Sequence, residues 1–119
     1  MSNLDDTDEF AMRGKLGSCS DGVKRLFRDL DHCLRARDSD VSTRPLHRAD
    51  EWLARSYHAS GRSFCEIHPK MDYIMLKVPE ADFAFAPENL VATGTRKNWL
   101  RISPSNKEEA LQYLEKIRP

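Results

Sequence analysis

The chain has 119 residues, with 19 basic and 19 acidic side chains and a formal net charge of zero. That length is one domain of ordinary size, and the charge balance excludes a histone-like cationic binder while leaving room for a local basic patch. Cys19, Cys33 and Cys65 are too few and too widely spaced for a disulfide framework, and no apolar run approaches the roughly 18 residues that a membrane-spanning helix needs.

The opening MSNLDDTDEF is acidic and lacks the basic-then-apolar order of a signal peptide. A soluble cytoplasmic protein with reduced thiols is expected. Residues 1–18 read as a disordered acidic tail, because their apolar residues are too scattered to define a face. The single folded domain is expected over 19–119.

The first regular element begins at Ser20 or Asp21, either of which suits a helix N-cap. Val23, Leu26, Phe27, Leu30 and Leu34 follow at i, i+3, i+4, i+7 and i+11, with Cys33 widening the stripe. Lys24, Arg25, Arg28, Asp29, Asp31 and Arg35 fall largely outside it. The spacing predicts an amphipathic helix ending near Ala36, where RDSDVSTRP brings turn formers and Pro45. Residues 37–50 read as a loop, with room for a short helical turn near 47–51.

Four runs then read as strands, over 52–57, 62–68, 73–78 and 98–103. HASG joins the first two as a hairpin, with Gly61 at a position of positive φ. PKMD joins the second and third, and Pro69 and Pro79 close their runs. PEADFAFAPENL holds three acids and no base, with a short helix or irregular cover expected over 82–86. The last element is a helix. Ser105 with Glu108 matches a capping box, and Ala110, Leu111, Leu114 and Ile117 form its apolar stripe. Together these elements predict a two-layer α+β fold: an N-terminal helix, an antiparallel sheet of about four strands and a C-terminal helix, with both helices on one face.

The central stretch YHASGRSFCEIHPKMDYIMLKVP resembles the core of a small bacterial and archaeal domain of unknown function. Its members are often labelled "predicted transport protein", and some are fused to restriction-endonuclease-like domains. Tyr57, Arg62, Phe64, Pro69, the strand from Ile74 to Val78, Gly94, Trp99 and the helix after Ser105 carry the resemblance, over about residues 21–117. His58 stands where that family usually has lysine. The resemblance implies a compact α+β fold and nucleic-acid-processing neighbours. It brings no catalytic residue and no cofactor.

Cys65, Glu66 and His68, with His58 nearby, raise the question of a metal or nucleophile. Zinc needs converging ligands, whereas strand alternation sends Cys65 and His68 to opposite faces. Beside Ile67, a buried Cys65 thiol is inert, and His32 and Cys33 diverge on their helix. No nucleophile elbow, metalloprotease or phosphate-loop pattern occurs. No metal, cofactor or catalytic residue is therefore assigned.

Sorting the strands by face places Leu53, Cys65, Ile67, Ile74, Leu76, Val78, Leu100 and Ile102 beneath the helices. The opposite face collects Trp52, Phe64, Glu66, His68, Tyr73, Met75, Lys77, Trp99 and Arg101. Aromatic rings interleaved with cations are what single-stranded nucleic acid uses, for stacking and phosphate neutralisation. Arg62, Lys70, Arg96 and Lys97 lie in adjoining turns and extend the basic rim. The candidate binding residues are Tyr57, Arg62, Phe64, His68, Tyr73, Lys77, Arg96, Lys97, Trp99 and Arg101. The function expected is a binding or accessory module for single-stranded nucleic acid. Three alternatives stay open: a homodimeric or partner interface, a face covered by the tail or the 79–97 loop, and a small enzyme or anionic-ligand binder using Tyr57, Arg62 and Glu66.

Overall fold

A computed structural model describes residues 14–48, 51–94 and 97–117, leaving aside the side chains of Arg48, Glu51 and Trp52. The stripe beginning at Val23 becomes helix α1 (Asp21–Arg35). Ser20 caps it, its hydroxyl accepting the Val23 N–H at 3.2 Å. Val23, Leu26, Phe27, Leu30 and Leu34 are all buried, each contributing about 1.5–3 kcal/mol by leaving water. Residues 15–18, assigned from the sequence to the tail, form a 3-10 turn whose Leu16 joins the same core. Residues 1–13 of the expected tail lie outside the described residues.

Five strands form one antiparallel meander in chain order: β1 (Ser42–Arg48), β2 (Glu51–Ala59), β3 (Arg62–Pro69), β4 (Ile74–Lys77) and β5 (Trp99–Ile102). The sheet therefore has one strand more than expected. β1 corrects the loop reading of 37–50: it pairs with β2 from Ser42 opposite His58 to Arg48 opposite Glu51. Of the short helical turn expected near 47–51, residues 47, 48 and 51 are strand instead, and 49–50 lie outside the described residues. The edge position of β1 tolerates Pro45, because the lost N–H is not needed in an interior ladder. At the tip between β2 and β3, Ser60 and Gly61 both have positive φ, 53° and 78°. That is the two-residue turn that matches strand twist, and Gly61 adopts it without strain.

A single helical turn, Glu80–Phe83, follows β4. The C-terminal helix, α2 (Lys107–Leu114), begins one residue later than a Ser105 cap implies. Its entry is capped by Ser103 with Asn106 around Pro104, not by Ser105 with Glu108. Both helices pack on one face of the sheet. Phe27, Leu30 and Leu114 share a core with Ile67, Leu76, Leu100 and Ile102. Lys107 pairs with Asp29 at 3.1 Å, and the Arg37 guanidinium donates to the Leu114 carbonyl, tying α2 to α1 and its C-terminal extension. The architecture is a two-layer α+β fold. Among the described residues, no helix is long and apolar enough to cross a membrane.

Asp31 departs from the solvent-facing role expected of it, being fully buried. Its carboxylate accepts from Arg55 at 2.9 Å, from Arg35 at 3.1 Å and from the Tyr57 hydroxyl. Arg55 is also buried, and its guanidinium lies 5.8 Å from the centre of the Phe27 ring. This charged knot sits inside the helix–sheet layer and joins α1 to β2.

Candidate nucleic-acid interface

The pleat sets which side chains reach the face away from the helices. In β3, β4 and β5 two cross-strand rows form there. His68, Met75 and Arg101 make one, and Glu66, Lys77 and Trp99 the other. Their neighbours Ile67, Leu76, Leu100, Ile74 and Ile102 point into the core and are fully buried.

The rings and cations on this face touch. The Arg101 guanidinium stacks 3.8 Å from the centre of the Tyr73 ring. Lys77 lies 5.9 Å from the centre of Trp99. His68 meets Trp99 edge-on at 4.8 Å and bonds Glu66 Oε1 through Nε2 at 2.9 Å. That bond holds the Glu66 carboxyl below its usual range against the opposing effect of burial.

Beside these rows lies a groove of about 620 Å³. His68, Lys70, Tyr73, Met75, Trp99 and Arg101 line its sheet side. The opposite wall is the Glu88–Leu90 3-10 turn and the segment after it, with Asn89, Val91, Ala92 and Thr93. Two backbone contacts hold that wall along the outer edge of β5: a bridge between Val91 and Leu100, and the Ala92 N–H donated to the Trp99 carbonyl at 3.0 Å. Ser103 and Asn106 close the end. Among the described residues the lining contains Lys70 and Arg101 but no aspartate or glutamate. A groove of this size suits a nucleotide-sized group, and its chemistry favours an anion that carries a flat ring.

His68, Tyr73, Trp99 and Arg101 are thus brought together, with Lys77 flanking Trp99. The other candidates lie elsewhere. Tyr57 points into the core, fully buried, with its hydroxyl on Asp31. Burial, reinforced by the Asp31 charge, pushes its phenol far above the ordinary range. Phe64 is buried because β3 carries a bulge there: Tyr57 faces Cys65 while His58 faces Ser63, and Phe64 is the extra residue. Arg62 is exposed at the hairpin tip, at the end of β3 away from His68. Lys97 is exposed and pairs with Glu80 at 3.6 Å. Arg96 and the Trp52 side chain lie outside the described residues. Tyr57, Arg62 and Glu66 do not converge: one points inward, one sits at a tip and one lies on the outer face.

No family model, curated protein or solved structure matches this chain.

Beyond the bulge, the outer face continues as a polar strip. Ser56 Oγ lies 2.8 Å from His58 Nε2 and 3.2 Å from Ser63 Oγ. Burial and the nearby Arg44 charge lower the His58 pKa. Cys65 points the other way, and burial pushes its thiol well above the usual range, which makes it a poor nucleophile or metal ligand. Among the described residues, no group of three or more histidine, cysteine or acidic side chains is arranged to hold a metal ion.

Proposed function

We propose that this domain binds single-stranded nucleic acid on the face of its sheet opposite the helices, with the groove beside β5 as the central subsite. One observation carries the reading: the groove combines Trp99 and Tyr73 with Lys70 and Arg101 and has no acidic side chain among the described residues of its lining. Rings stack on bases and cations neutralise phosphates. Because Arg101 already covers one face of Tyr73, a base stacks on Trp99 or on the outer plane of the guanidinium. Lys77 lies beside the Trp99 ring, positioned for the next phosphate along the strand.

The test is fluorescence anisotropy of a labelled single-stranded oligonucleotide over a salt series. With Lys70, Lys77 and Arg101 as phosphate contacts, the logarithm of the affinity falls against the logarithm of salt with a slope of about −2. Trp99→Ala removes a stacking platform worth about 1–3 kcal/mol. No binding at low salt, or binding unaffected by both Trp99→Ala and Arg101→Ala, refutes the proposal.

A second reading, as a protein-interaction module, rests on Phe85, which is 81% exposed. It projects next to Asp82 in the acidic segment between β4 and β5. A concentration-dependent mass in light scattering that Phe85→Ser abolishes supports a homodimer through this residue. A monomer at all concentrations excludes it.

A further inference from the structure

Two residues of the groove lining differ from its cationic side: Asn89, in the wall opposite the sheet, and Asn106. Neither side chain supplies charge for a phosphate. Each amide has one end fixed by the protein, and the ends are opposite. Asn106 Oδ1 accepts the Ser103 hydroxyl at 2.6 Å and the Ser103 N–H at 3.4 Å. Its oxygen is therefore turned back onto its own turn, and its NH2 group has no partner among the described residues. Asn89 is the reverse: its Nδ2 donates to Glu109 Oε1 at 2.6 Å. A carboxylate accepts only from the NH2 end, so the free end of Asn89 is its oxygen.

Both sit beside the start of α2: Asn89 through its bond to Glu109, the third residue of that helix, and Asn106 at the residue that precedes it. One oriented acceptor and one oriented donor therefore line the same groove as Trp99 and Arg101.

We infer that Asn89 and Asn106 read the edge of a nucleobase stacked in the groove, so that the domain discriminates between bases instead of binding every strand alike. The inference rests on the nucleic-acid reading and sharpens it from a sequence-neutral to a base-selective site. Phosphate contacts position a strand without distinguishing its sequence, whereas hydrogen bonds to base edges do distinguish it. The bases present donors and acceptors in different orders, and a pair of amides oriented by these bonds fits some of those orders and not others.

The experiment measures the affinity of the full chain for short oligo-dA, oligo-dC and oligo-dT at one fixed salt concentration. The wild type is expected to separate the best from the worst by tenfold or more. Asn89→Leu removes the acceptor at an exposed position and is expected to compress that spread to about threefold or less. Asn106→Asp keeps the oxygen that accepts from Ser103, so the helix start is preserved, but replaces the donor with an acceptor. Its added charge weakens all three oligomers together, so the ratio between them is the readout, and that ratio is expected to change. Three equal wild-type affinities, or a spread left intact in both variants, overturn base reading while leaving nucleic-acid binding standing. Failure of all three oligomers to bind overturns both.

Discussion

Replacing Asp31 with alanine removes the carboxylate on which Arg55, Arg35 and Tyr57 converge. The Arg55 side chain is only 3% exposed, so its guanidinium stays buried without that carboxylate, whereas Arg35, at 34%, can turn to water. Breaking one side of a buried pair costs about 3–5 kcal/mol. That is a large share of the roughly 5–15 kcal/mol that holds a domain of this kind together. Tyr57→Phe removes one hydrogen bond to a charged group and is expected to cost about 1.5–3 kcal/mol. Replacing the pair together, Asp31→Leu with Arg55→Met, removes both charges and is expected to cost much less than Asp31→Ala. Equilibrium urea unfolding at neutral pH, with the slope checked for constancy, gives all three values. A loss under about 1 kcal/mol for Asp31→Ala, against the cost of breaking a buried pair, refutes the reasoning. A double variant as damaged as the sum of its parts refutes it equally.

Alkaline pH is expected to erode stability through Tyr57. Its folded pKa is raised, so its contribution is complete below the ordinary value of 10.0 and is lost as the pH rises above it and the unfolded phenol ionises; Tyr57→Phe flattens that loss in urea melts taken from pH 9 to pH 11. Acid acts through groups of the opposite sign. His58 and Glu66 have lowered folded pKa values, so their contributions are present above the ordinary 6.5 and 4.5 and disappear as the pH falls below them. Glu66→Gln is expected to remove the lower of these two steps and, by removing a charge that raises the His58 pKa, to leave the upper step in place and enlarge it. Thiol labelling is expected to leave Cys65 untouched in the folded protein and to reach the half-buried Cys33 first. Rapid labelling of Cys65 under native conditions contradicts its placement.

The elements with a strong period were legible in the sequence. The α1 stripe needs only the spacing of Val23 to Leu34, and the strands from 62 onward announce themselves by alternation and by Pro69, Gly61 and Pro79. β1 was not legible, because STRPLHR is an edge strand without apolar alternation and carries a proline. Asp31 was one charge among seven on α1. Its burial follows from Arg55 and Tyr57, which only the packing of β2 on the helix brings near. The same pleat explains Tyr57: alternation from Leu53 sends Arg55 and Tyr57 inward, and a buried arginine is plausible only once Asp31 is there to meet it. Phe64 turned inward because one bulge shifts the register between Tyr57 and His58, a change that no two-residue period reveals. The sheet side of the groove could be read from the sequence through His68, Tyr73, Trp99 and Arg101. Its other wall could not, since Asn89 and Thr93 lie in a loop whose position depends on two backbone contacts to the edge of β5.

The proposed strand lies on the sheet face opposite the helices and not on the helix layer. A nuclear magnetic resonance titration of the isotope-labelled full chain with a short single-stranded oligonucleotide at low salt tests this placement directly. The Trp99 indole, Arg101 and the amides of Asn89 to Thr93 are expected to shift in a saturable way, and the shifts to recede when salt is raised. Shifts confined to α1 and α2, or none at all, contradict it.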